Sequence, residues 1–169
     1  MRPSRLSTIK ETFQSRKIDI ISTLGWILSV TAVVFLTWEN FYNAPKYQLS
    51  KWIHSPGEAP SLEGYPILLL VIFSFIFGAL LSEIRSLIFG YLASQVLSLL
   101  LASFCGFYYN WFIRGACNDP LYGSTPFAWE YIYFLAFTDV FRMMFPLASV
   151  YCFIAAVCGN LLINWLKNR

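Results

Sequence analysis

The residues able to do chemistry are few and widely spaced. His54 is the only histidine and lies in a turn-like stretch with Pro56 and Gly57. A single imidazole cannot build the multi-histidine sites of catalytic zinc, nor both axial ligands of a bis-histidine haem. The four cysteines, Cys105, Cys117, Cys152 and Cys158, show no C-x-x-C spacing. Cys152 and Cys158 fall within an apolar run and read as small packing residues. Cys105 and Cys117 fall toward what reads as the outer face, where a disulfide is permitted, although two free thiols fit the sequence equally well. No H-E-x-x-H, P-loop or G-x-S-x-G arrangement occurs. The sequence therefore assigns no catalytic, cofactor-binding or metal-binding residue. No cofactor is expected, and bound lipid is compatible with the composition.

A second group of residues could act by hydrogen bonding or ion pairing. Gln95 and Asn160 are polar residues inside apolar runs, at similar depth, with Asn164 one turn beyond Asn160. A Gln95–Asn160 hydrogen bond between helices would satisfy both at about 0.6–2 kcal/mol. Asp139 and Arg142 stand three apart, so they can pair on one helix face, and Asp139 can also cap that helix. Glu83 and Arg85 border the membrane and read as interfacial. An ion or proton relay would need ionisable groups deeper in the bundle.

The elements that must hold these residues are apolar. Of 169 residues, 57% are hydrophobic and 12% charged, against about 25% charged in an ordinary soluble domain. Mean hydropathy is +0.58. A soluble chain of this length could not cover so much apolar surface. The length suits one domain, and the net charge of +3 is spread along membrane flanks, which argues against nucleic acid as a partner.

Four apolar runs approach the ~20 residues that span a hydrocarbon core, and in lipid such runs must be helices. They predict an all-α integral membrane bundle of about four transmembrane helices in a single domain, at 20–37, 66–82, 87–109 and 139–166. Residues 1–18 form a basic tail, 38–65 and 110–138 are outer loops, and 167–169 is the cytoplasmic end. The first run follows five basic residues but ends in Thr37-Trp38-Glu39-Asn40 without a small-residue cleavage site, so it reads as a retained signal anchor. Lys and Arg concentrate in the N-terminal tail, at Arg85 and at the C-terminus. The positive-inside rule then puts both termini in the cytoplasm and the protein in the cell membrane. Short interfacial helices are expected on the outer face, one at 45–54. A helix from 127 to 166 would be about 60 Å long, too long for one crossing, so a break is expected near Thr138-Asp139, with 127–137 along the surface.

Small residues recur every fourth position: Ser74, Gly78 and Ser82, then Gly90, Ser94, Ser98, Ala102 and Gly106, and more briefly Ala148, Cys152 and Ala156. A tight cytoplasmic hairpin at 83–86 would set helices 2 and 3 antiparallel, with Ser82 level with Gly90, Gly78 with Ser94 and Ser74 with Ser98. Small residues at this spacing let helix backbones approach. Tyr91 falls on the lipid-facing side in that arrangement.

The leading expectation for function is a non-catalytic multi-pass accessory subunit that packs against other integral membrane subunits and stabilises a larger complex. The outer segments are rich in aromatics, and Trp129 and Tyr133 are the expected partner contacts. The alternatives are a small homo-oligomeric transporter or channel, and a thiol- or quinone-linked membrane oxidoreductase using Cys105 and Cys117.

Overall fold

The computed structural model describes residues 5–44, 60–118 and 128–169, with residues 5–15 as backbone. The regular elements among them are all helical: α1 (Arg5–Asn43), α2 (Tyr65–Leu80), α3 (Ile84–Tyr108), α4 (Ala128–Met144) and α5 (Leu147–Lys167). A π-helical turn at Tyr109–Ile113 and a 3₁₀ turn at Ala116–Asn118 follow α3. The expected interfacial helix at 45–54 and the turns at 119–126 lie outside the described residues.

Among the described residues, three stretches are long and apolar enough to cross a membrane: Arg16–Asn43, Ile84–Ile113 and Leu147–Lys167. The 16 residues of α2 rise about 24 Å, less than a ~30 Å core. The long α1 follows from its sequence, because the nearest prolines, Pro3 and Pro45, stand just outside it. Proline also opens α2, where Pro66 follows the positive-φ Gly64 (φ 67°). Its missing N–H costs nothing in a first helical turn.

The break between α4 and α5 is displaced from its expected place. The helix runs through Thr138 and Asp139 and stops at Phe145-Pro146. Thr138 stays within the helix, its hydroxyl donating to the Phe134 carbonyl at 2.8 Å; it keeps its backbone N–H and so does not force a break. Pro146 does interrupt it, lacking an N–H and clashing with the preceding turn. The residues read as the start of one helix at 139–166 therefore end α4. That helix buries Ala128, Ile132, Ala136, Val140 and Met143 along one side, and its main neighbour is α3.

The principal pairs are α2 with α5 and α1 with α3, while α2 and α3 scarcely touch. The expected pairing of the hairpin helices through their small residues is thus replaced by another. Trp26 of α1, wholly buried, lies between them. Its ring centroid is 6.5 Å from Phe77 of α2 and 5.8 Å from Tyr91 of α3, and its indole N–H donates to the Ser74 hydroxyl at 3.2 Å. The connection also splays the helices, since Leu81 is extended (φ −76°, ψ 134°).

The small residues still face inward, toward other partners. A Cβ added to Gly78 would overlap the Ala156 backbone of α5, and one added to Gly159 would overlap that of Phe75 in α2. Gly90 lies beside Thr23, and Gly106 beside Trp38 and Ala136. Ser98 donates to the Ile27 carbonyl at 3.0 Å. Ser74, Ser94 and Ala102 are buried completely, as are Cys152, Ala148 and Ala156 to within a few per cent. Tyr91 is turned inward as well, donating to the Ser149 carbonyl at 2.7 Å and packing on Phe153. The exterior carries the large apolar side chains, such as Phe89 (73% exposed) and Phe134 (63%). Serine within and phenylalanine without is the arrangement that lipid favours and water opposes.

Candidate functional site

The helix directions organise the polar groups into two levels. Gly64 and Ile67 at the start of α2 share a cavity with Leu147 and Ala148 at the start of α5, and Asn160 reaches the end of α2, so α2 and α5 are parallel. Trp26 and Asp19 of α1 meet Ser74 and Ser82 of α2, so α1 runs the other way. The end holding the start of α2 and the last turns of α1 is called the upper end below.

At the lower end two polar side chains lock the α2–α3 connection. Asp19 accepts hydrogen bonds from the Ser82 backbone N–H at 3.0 Å and from the Ser82 hydroxyl at 2.8 Å. It thereby satisfies a donor at the approach to α3, a need that every helix start has. Asn160, 2% exposed, donates through its amide to the carbonyls of Gly78 at 3.3 Å and Leu81 at 2.8 Å. Those carbonyls belong to the last turn of α2, where no intrahelical donor remains. Asn164 completes the group by donating to the Asn160 side-chain oxygen at 3.0 Å. Asn160 therefore serves α2 instead of the expected partner Gln95, which is also buried but sits on α3. The orphan carbonyls at the end of α2, the main neighbour of α5, take the Asn160 amide in place of a side chain on α3. Glu83 and Arg85 are exposed.

At the upper end Tyr42, Arg114 and Asp139 come together. The Tyr42 hydroxyl donates to Oδ2 of Asp139 at 2.5 Å, and the Arg114 guanidinium carbon lies 5.4 Å from the centre of the Tyr42 ring. Burial draws Arg114 below its ordinary pKa, while Tyr109 and Tyr42 act in the opposite direction; a guanidinium keeps its charge regardless. Tyr42 also packs on Trp38 with the rings tilted by 35° and their centroids 4.3 Å apart, and Tyr109 donates to the Asn43 side-chain oxygen at 2.9 Å.

The expected Asp139–Arg142 pair gives way to this cluster. Asp139 follows the buried stripe of α4, whereas Arg142 is exposed and lines the upper cavity. Neither Tyr42 nor Arg114 stood out in the sequence. An arginine just past an apolar run, in a loop otherwise short of positive charge, was the available signal.

Cys105, Cys117, Cys152 and Cys158 all carry free thiols, so the disulfide considered between Cys105 and Cys117 is not formed. The helical path continues eight residues beyond Cys105, through Ile113, before Gly115 (φ 79°) turns the chain. The short turn at Ala116–Asn118 that carries Cys117 then packs on the 109–113 turn. Among the described residues no group of three or more His, Cys, Asp or Glu gathers as for a metal.

The upper cavity, of about 430 Å³, is bounded by Ser61, Leu62 and Glu63 ahead of α2, by the first turns of α2 and α5, and by Arg142 and Met143 of α4. Of the expected partner contacts, Trp129 is 51% exposed. Tyr133 is half-buried with its ring edge-on to Phe107 at 6.0 Å. Comparison of the chain with protein-family models, curated proteins and solved structures finds no match.

Proposed function

We propose that this protein is a non-catalytic multi-pass membrane subunit, crossing four times with both termini cytoplasmic and stabilising a larger membrane complex. In this reading α1, α2 and α3 each cross once, α4 and α5 together make the fourth crossing, and the upper end faces outward. The observation that carries it is the exposed side of α4. One side holds the buried stripe, while Trp129 and Phe134 on the other are 51% and 63% exposed. Tyrosine and tryptophan supply large contact area with a polar edge, which suits protein interfaces. The polar clusters support a structural role, because Asp19, Asn160 and Asp139 each engage groups of this chain.

The test is isolation from native membranes in mild detergent. The chain is expected to leave bound to larger polypeptides, and Trp129→Ala is expected to weaken that association while helicity is kept. A homo-oligomer of the purified chain that moves a solute across liposomes would overturn this reading in favour of a transporter.

A further inference from the structure

The upper cavity brings a cation, a carboxylate and a hydroxyl together within apolar walls. Its ≈ 430 Å³ lies within the range of sites that hold small ligands. Arg142 contributes a cation, Glu63 a carboxylate and Ser61 a hydroxyl, while Ile67, Leu147 and Tyr151 supply apolar walls. A ligand matched to this lining carries both charges and a hydrophobic part.

The backbone points the same way. Both α2 and α5 begin at the cavity, and neither N-cap, Gly64 or Pro146, supplies a side-chain bond to the first turn. Their leading N–H groups and the positive ends of two helix dipoles favour an anion beside Arg142.

We infer that the cavity binds one zwitterionic phospholipid by its headgroup, with the phosphate at Arg142 and the helix starts and the ammonium at Glu63. This rests on the chain being membrane-embedded, and not on its role as a subunit.

Native mass spectrometry of the full chain in mild detergent tests the inference. Dioleoyl phosphatidylethanolamine, dioleoyl phosphatidylglycerol and dioleoylglycerol are offered at equal concentration. One phosphatidylethanolamine should be retained per chain in preference to the other two. Arg142→Gln should lower its retention roughly tenfold, as loss of a charge-assisted contact does, and Arg142→Lys should restore part of it. Glu63→Gln should shift preference toward the anionic phosphatidylglycerol. Both side chains are exposed, and unchanged melting by circular dichroism should confirm that the variants fold. Equal retention of all three lipids, or phosphatidylethanolamine retained fully by Arg142→Gln, would overturn the proposal. Displacement by water-soluble glycerophosphoethanolamine at matched concentration would also overturn it, making the ligand a solute. Capture of partner subunits is read separately, so failure of either idea leaves the other measurable.

Discussion

At the scale of single residues, an ionisable group is useful here according to what it reaches, not where it falls in the chain. Asp139 and Arg142 have ideal helical spacing for a pair. Yet Tyr42, ninety-seven positions from Asp139, donates to it, and Arg142 opens onto the cavity. A buried carboxylate that loses a donor bears the cost of its own desolvation. Tyr42→Phe is therefore expected to lower stability by about 1–3 kcal/mol, measured as the helicity melt in detergent. Arg142→Gln should leave the melt unchanged, although it removes a full charge. A larger loss from Arg142→Gln than from Tyr42→Phe would restore the pairing that the spacing alone suggests.

At the scale of helices, the most consequential contact joins elements far apart in sequence. The α2 and α5 backbones are close enough that a methyl at Gly78 or Gly159 meets backbone atoms of the other helix, which cannot swing aside as a side chain can. Gly78→Leu should therefore destabilise by at least the ~1–3 kcal/mol typical of overpacking. Ile72→Leu on the exposed side of the same helix should be nearly neutral. Equal melting temperatures for the two variants would show that α2 and α5 do not pack through these glycines. The hairpin partner expected for Gly78, Ser94, is instead buried on α3 and donates to the Tyr91 carbonyl of its own helix at 2.8 Å. Close packing was legible as a four-residue spacing of small side chains. Which helix fills each groove was not, because glycine and serine leave the same groove whoever enters it.

At the scale of the molecule, the alternating directions of α1, α2, α3 and α5 suit a chain that passes back and forth across a bilayer. On the proposed topology, single cysteines at Ser7 and Asn168 are expected to be labelled only from the cytoplasmic side. Cysteines at Ser61 and Ser124 should react with an impermeant reagent from outside. Labelling of Ser124 and Asn168 from the same side would mean that α4 and α5 do not together complete a crossing. Such an outcome would leave the α2–α5 contact untouched and change only how the bundle sits in lipid.

Composition alone pointed to helices long and apolar enough to cross a membrane, since apolar runs as long as those in α1, α3 and α5 would leave the backbone no partner in lipid except itself. Helix ends were also partly local: Pro66 opens α2 by a rule that needs no neighbour. The break at Pro146 obeys an equally local rule, while none formed at Thr138-Asp139, where neither residue lacks the backbone N–H that the helix uses. Only the tertiary structure decided that Trp26 would part α2 from α3, that Asn160 would close α2 instead of meeting Gln95, and that Asp139 would find Tyr42. Each of these depends on a side chain competing for partners among several helices at once. Sequence spacing describes the face a residue occupies on its own helix, and the partner is set by which neighbouring helix the packing of small residues admits to that face.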